Sequence, residues 1–536
     1  MLRAGTEKPP NAQPSGAARK RPVLRVCLRT FRITLVVLAF IVVVTGFFLN
    51  KIGLPDFVKD RLVQQLRAHG WDVEFSRIRL RYRGIVADDL HLRRTNTING
   101  PNLFVPRAEC GLNLSAFTKL KLDVKSFTMS GARLVWPMSQ RGRPQPSFTL
   151  NNVSGQLYFK RNDEWELRSL NGELLRARVH FTGIVTNGSL IRDWRFGQKG
   201  RVPRRDPVAV WEEIVRHIAQ VRFAAQPDID GTFRGDAADL RSFDANMRFK
   251  APSVVSPWGT GTNVLLTARL FPGRPDTEFV QADFTVTAHQ VLTRWVEAGE
   301  MRLNMEFEPR YTNAWPTNVN IAVELKDAKT RWGKSDYALV MTRLRASETN
   351  ASVAETDLKA MVKGFKGEGL AIANSDIKLF ATHPLTNWLP AVVSLNGDLA
   401  DVKSEEANVA KMRVKFNGQL PETTNWSVLN TNLPWPARIR SLPFDANIDL
   451  AGVKGRRVEA EKMGAEAHWG WPALQLKSHG ALYGGDFKAD TSLEVESRDL
   501  IFSADTTFDV HKIAPLLGTN AQKFLKSYSW DVPPAL

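Results

Sequence analysis

The chain reads as a mainly β protein, antiparallel and repetitive, carried on one N-terminal transmembrane helix. Three observations predict it. Residues 33–49 form a charge-free apolar run, a period of two recurs from residue 71 almost to the end, and helical periodicity is confined to a few short segments.

The anchor comes first. Ile33, Leu35, Val36, Leu38, Phe40, Ile41, Val43, Phe47 and Leu49 belong to a run bounded by Arg32 and Lys51. At about 1.5 Å per residue the run reaches the lower limit of a membrane span. A secretory signal would end in a small-residue cleavage site, whereas this run leaves through Phe47-Phe48-Leu49-Asn50-Lys51, so the sequence favours an uncleaved anchor. Residues 1–32 carry eight Lys or Arg against Glu7 alone, a net charge of +7. Basic flanks stay in the cytoplasm, which places the tail inside and the body on the far side. This tail is rich in Pro, Ala, Gly and Lys and reads as disordered.

The whole chain of 536 residues carries a formal charge of +18, leaving +11 for everything beyond the tail. Nucleic-acid binding would gather that excess into one stripe with interleaved aromatics. Here it alternates with apolar residues instead, as in Lys119-Leu120-Lys121-Leu122. That pattern suits a solvated sheet face or attraction to anionic headgroups. Cys27 and Cys110 fall on opposite sides of the expected membrane, which excludes a disulfide between them.

After the anchor, Leu54-Pro55-Asp56 opens a neck helix running to His69, with Val58, Leu62 and Leu66 on one face and Gly70 as its stop. The neck and a first β module occupy 50–206. An amphipathic helix, with Trp211, Ile214 and Ile218 on one face, follows at 207–226, and the second β module fills 227–536. Half-buried strands are predicted at Met301–Phe307, Val319–Leu325, Met412–Phe416 and Phe444–Leu450. The clearest hairpin joins Phe487–Val495 to Leu500–Val510 through Ser497-Arg498-Asp499. Asn171-Gly172, Asn187-Gly188, Asn396-Gly397 and Asn417-Gly418 read as hairpin turns, and Trp136, Trp435 and Trp471, each before Pro, as strand ends or turns. A last short helix is expected at Ile513–Leu525. So few helices cannot cover so many strands, and their apolar face must meet a second sheet, curl on itself, or meet something other than protein.

Both ends of the chain resemble AsmA-like proteins of the bacterial envelope. The resemblance rests on the basic tail, the anchor, the Leu-Pro neck, Gly70-Trp71-Asp72-Val73-Glu74-Phe75 and Val86-Ala87-Asp88-Asp89-Leu90-His91-Leu92. At the other end it rests on Gly480-Ala481-Leu482-Tyr483-Gly484-Gly485-Asp486-Phe487 and the hairpin that follows. The resemblance implies a sheet curled into a groove, apolar inside, along which acyl chains of phospholipid or lipopolysaccharide-type lipid pass between inner and outer membranes. It also implies further strands beyond Leu536.

No His-Glu-x-x-His, Cys-x-x-Cys or Gly-x-Ser-x-Gly occurs. Gly333-Lys334-Ser335 lacks the earlier glycine of a phosphate loop, with Ala328 in its place. The nine histidines are scattered, and Asp88-Asp89, Glu212-Glu213 and Glu405-Glu406 are adjacent pairs whose side chains diverge. The reading is therefore a non-enzymatic protein without cofactor or metal, anchored in the inner membrane with a periplasmic body that handles lipid. Its expected groove residues are Val319, Ile321, Val323, Phe487, Leu493, Val495, Phe502 and Phe508. The alternative is an assembly factor for outer-membrane or envelope proteins, built of closed β-sandwiches. Dry cores would distinguish it.

Overall fold

The computed structural model describes residues 21–56, 59–60, 63–64, 67, 71–81, 84–94, 102–113, 124–136, 139–140, 143–144, 148–174, 176–193, 220–273, 281–310, 313–346, 353–384, 390–419, 440, 442–456, 458–516 and 518–530. Two compact units divide the chain, residues 1–147 and 148–536.

In the first unit, helix α1 spans Arg21–Lys51 and takes in the whole apolar run. It begins at Arg21, so residues 21–32 of the tail are helical; a strong helix nucleus propagates cheaply into its flank. Leu35, Phe40 and Val43 on it are 54%, 66% and 67% exposed. Over the residues whose side chains are described, no helix is long and apolar enough to cross a membrane. Ile33, Val42, Thr45 and Leu49, which complete the apolar run, lie outside that set. Past the helix, the Leu54 amide donates to the Ile78 carbonyl at 2.8 Å. Gly53, at φ +105°, sits where a Cβ would fall 2.6 Å from the same oxygen. Asp56, Lys59, Asp60, Val63, Gln64 and Arg67 of the neck are helical; Val58, Leu62 and Leu66 lie outside the described residues.

Strands β1 (Trp71–Glu74) and β2 (Arg77–Arg81) lie end to end along β3 (Gly84–Arg94), which pairs with β4 (Asn102–Leu112), and that with β5 (Val124–Trp136), all antiparallel. Val73, Ile78, Val86, Val105, Ala108 and Ala132 are buried here. Two-residue strands β6 (Ser139–Gln140) and β7 (Arg143–Pro144) form a small ribbon.

The second unit is one open sheet. Its strands are β8 (Phe148–Phe159), β9 (Trp165–Leu174), β10 (Ala177–Thr186), β11 (Arg222–Phe223), β12 (Asp228–Asp236), β13 (Asp239–Ser256) and β14 (Gly259–Phe271). There follow β15 (Gln281–Thr293), β16 (Val296–Arg310), β17 (Asn313–Thr330), β18 (Gly333–Ala346), β19 (Val353–Gly367), β20 (Leu370–Pro384) and β21 (Val392–Ser404). The last are β22 (Ala407–Gln419), β23 (Phe444–Gly455), β24 (Glu459–Gly470), β25 (Ala473–Leu482), β26 (Gly485–Glu494) and β27 (Asp499–Thr506). From β12 to β27 each strand pairs antiparallel with the next. Among the described residues β27 pairs with β26 and with no strand before it, so the sheet is open and uncurled, not rolled into the expected groove. Among the described pairings one breaks the antiparallel rule. β10 runs parallel to β12, as a long crossover allows. Of the helix expected at 207–226, residues 207–219 lie outside the described residues, and Arg222–Phe223 are the strand β11, paired with β13.

The Asn-Gly pairs mostly fail as turns. Asn171-Gly172, Asn396-Gly397 and Asn417-Gly418 lie inside β9, β21 and β22, where Asn takes the polar face and Gly the apolar one. At Gly418 a Cβ would come within 3.0 Å of the Phe416 ring. Only Asn187, at φ +53°, turns the chain. Left-handed residues fall elsewhere, at Gln290, Asp327, Gly364 and Asp401, each 37 residues after the last. At Asp327, Gly364 and Asp401 the pairing keeps one register on both sides, so each is a left-handed kink within the strand rather than an inserted residue. Val291, Ala328 and Val402, the next residues after Gln290, Asp327 and Asp401, are buried.

A C-terminal cap closes the unit. A 3-10 segment at Val510–Leu516 precedes helix α2 (Thr519–Lys526), in place of the single helix expected there. Val453, Ala460, Leu482, Phe508 and Val510 form its dry core.

Candidate functional site

Directly paired residues share a face of a sheet, so the register identifies what each face presents. Ile321 on β17 pairs with Met305, and that row continues through Phe284, Ala268 and Met247 to β13. In the other direction it runs through Thr342, Leu358, Leu379, Leu395 and Phe416. It ends by way of Ala446, Ala467, Leu476 and Thr491 at Phe502 on β27. A second row holds Val323 with Leu303, Val286, Val340, Ala360 and Ile377. A third holds Val319 with Phe307, Leu344, Ala381 and Val393 at its centre. One face of the sheet is thus apolar across its width. Phe284 and Phe307 stack on it at 5.0 Å and 12°.

The opposite face carries charge. Arg178 meets Asp228 at 2.7 Å, Lys326 meets Glu300 at 2.7 Å, and Arg413 meets Asp398 at 2.9 Å, each between directly opposed residues. The Lys326 hydrogen bond holds the Glu300 carboxyl below its ordinary value and raises the ammonium in return. These pairs are exposed and each contributes little to stability. Their effect is to keep this face wet.

Nothing among the described residues covers the middle of the apolar face. Ile321, Met305, Leu358, Leu379 and Leu395 are half-buried, and Met247, Ile448 and Leu476 are 37%, 37% and 38% exposed. A sandwich core would seal such rows. Only at one end does the C-terminal cap pack on the face, against Leu450, Met463 and Phe487. A depression of about 210 Å³ between Phe181, Phe233, Met247 and Phe284 lies on the apolar face. Larger ones, of about 510 and 580 Å³, lie on the polar face, where long basic side chains such as Lys359, Lys378 and Lys411 stand as walls.

Six of the eight expected lining residues, Val319, Ile321, Val323, Phe487, Leu493 and Phe502, lie on this one face. Val495 falls just past β26 in the turn, its amide donating to the Pro472 carbonyl at 3.0 Å. Phe508 lies in the cap core, 7% exposed. Sequence reading missed the central residues of β18 to β21, Leu358, Leu379 and Leu395 among them, although their spacing of two carried the signal. It also missed the turn tryptophans, marked by the recurrence of Thr293-Arg294-Trp295 at Thr330-Arg331-Trp332.

Cys110, a free thiol in the first unit, is pushed above its ordinary pKa by burial. Among the described residues no three of His, Cys, Asp and Glu gather closely enough to hold a metal ion. Fold and face together define a two-faced, open β-sheet protein. No protein-family model, curated protein or solved structure matches the chain.

Proposed function

We propose that the open apolar face of the second unit binds lipid acyl chains, and that the protein moves phospholipid or lipopolysaccharide-type lipid across a bacterial envelope. The observation that carries this reading is the uncovered apolar face. Continuous rows from β13 to β27 remain half-exposed, and an aqueous protein of this kind would aggregate through them. Acyl chains supply the missing layer without requiring shape complementarity from each side chain. The reading needs no covalent step, cofactor or metal. Helix α1 serves as the inner-membrane anchor, with the basic N-terminus cytoplasmic and both β units periplasmic, as the charge asymmetry supports. The resemblance of both chain ends to AsmA-like proteins agrees with this role. The half-buried rows disfavour the assembly factor with dry sandwich cores.

The test is lipid content. Full-length protein purified in mild detergent and extracted for mass spectrometry carries stoichiometric phospholipid or lipopolysaccharide-type lipid if the face binds acyl chains. A lipid-free, monodisperse preparation would sink the reading.

A further inference from the structure

Three consecutive hairpins at one end of the sheet turn on tryptophan. Pro257-Trp258 joins β13 to β14, Arg294-Trp295 joins β15 to β16, and Arg331-Trp332 joins β17 to β18. All three tryptophans point outward, at 55%, 62% and 65% exposure. Alternate strands place neighbouring turns roughly 10 Å apart. The turns are built alike. Ser256, Thr293 and Thr330 each send a side-chain hydroxyl across to the carbonyl three residues on, at 2.9, 3.1 and 3.2 Å. Trp295 and Trp332 each take a further bond from their amide to that same Thr, 3.2 Å in both cases. Gly259 and Gly333, at φ +157° and +154°, follow two of the tryptophans, where a Cβ would fall 2.4 and 2.5 Å from the next strand's carbonyl. So the indoles are presented on rigid supports.

Each arginine lies over its neighbour's ring, Arg294 at 3.9 Å from the Trp295 centroid and Arg331 at 4.4 Å from Trp332. Behind them Lys329, Lys334 and Lys366 stand in one paired row. Glu297, paired with Lys329 at 3.6 Å, and Glu368 oppose part of this charge. Val255 and Leu292, 45% and 53% exposed, add apolar surface beside the indoles. Farther along the same end the turn becomes Glu405-Glu406, and the character is lost.

We infer that this end of the sheet docks on an anionic membrane surface, the indoles entering the headgroup layer while Arg294, Arg331 and the lysine row engage lipid phosphates. Exposed indole is at its most favourable at the membrane–water boundary, where one edge meets apolar chains and the N–H stays wet. Basic residues beside it gain from the negative surface potential. A protein partner would call for one continuous matched surface, and this strip offers separate turns spaced along the sheet's end. The inference stands apart from the acyl-chain reading. Docking by the turns uses none of the rows on the apolar face.

Photocrosslinking tests it. The full-length chain, carrying p-benzoylphenylalanine at position 295, 332 or 471, is reconstituted in vesicles of phosphatidylglycerol and phosphatidylcholine and irradiated. Position 471 lies in the β24–β25 turn at the opposite end of the sheet and serves as the comparison. Phospholipid adducts at 295 and 332 exceed those at 471 by about tenfold. They fall about fivefold in pure phosphatidylcholine, and similarly in R294Q/R331Q, a pair of exposed-turn changes whose thermal melt stays that of the parent. Equal adduct yields at all three positions would overturn the inference. So would crosslinks at 295 and 332 that reach only protein. Vesicle-bound protein with no lipid in the apolar face, but with adducts at the turns, would sink the acyl-chain reading alone.

Discussion

Ile321 on β17 and Phe502 on β27 stand on one face of one sheet, in a single row that passes between them strand by strand through paired positions. The neighbour of Ile321, Ala322, pairs with Asn304 and Met341 and faces the other way. A carboxylate at 321 would enter an acyl layer, where an unpaired charge is costly; one at 322 stays in water. Ile321→Asp therefore lowers co-purifying lipid by about tenfold or more, while Ala322→Asp leaves it unchanged. Equal loss in both variants would show that the face does not matter.

Trp469 on β24 is the largest fully buried side chain described. Its ring meets Trp471 edge-on at 6.0 Å, and it pairs with Phe444 and Leu474. Trp469→Ala removes a buried aromatic, at about 3–5 kcal/mol. Hydrogen exchange is the suitable readout, because so long a sheet opens in parts. Amides of β23 to β25 lose protection while those of β15 and β16 keep theirs. Uniform loss would point to a single cooperative sheet.

His511 ties the C-terminal cap together. Its Nδ1 lies 3.0 Å from Asp509 Oδ1, its Nε2 lies 2.9 and 3.0 Å from the Leu525 and Tyr528 carbonyls, and its ring meets that of Trp530 at 4.1 Å and a tilt of 37°. The Leu525 carbonyl, then Asp509 and the Tyr528 carbonyl, favour the doubly protonated ring and raise its pKa above the ordinary histidine value. A raised folded pKa contributes stability that is full below the unfolded value and lost as pH rises through the folded one. Asp509, held low by the His511 amide, loses its contribution only below the usual carboxylate range, outside this window. Protection of α2, corrected for intrinsic exchange, is thus greater at pH 6 than at pH 8, and H511Q removes the difference. A profile unchanged by H511Q would refute the assignment.

Asp327 holds φ +52° inside β17. Asp327→Gly should cost nothing or stabilise slightly, since glycine adopts this conformation freely. Asp327→Val should cost about 1–2 kcal/mol, the penalty of a β-branched residue in the left-handed region. Urea midpoints followed by hydrogen exchange in β17 and β18 measure both. Equal midpoints for the two variants would mean that the kink relaxes.

Alternation by itself determined that this chain is β-rich, and where most strands lie, because a period of two is a local property of the residues. Met301–Phe307, Val319–Leu325 and Phe444–Leu450 all fall inside observed strands. The charge-free run at 33–49 was legible as a helix, and its residues lie in α1. Three things were decided by tertiary structure. Asn396-Gly397 and Asn417-Gly418 are local turn formers, yet cross-strand pairing holds them extended, with glycine leaving space on the apolar face. Left-handed residues at Gln290, Asp327 and Asp401 interrupt the alternation just before the buried Val291, Ala328 and Val402, a break that strict alternation cannot show. Phe508 looked like one more lining residue, but the strand ends at Thr506 and the cap encloses it. Which apolar residues share a face depends on register across many strands, and register is set by pairing between residues far apart in sequence.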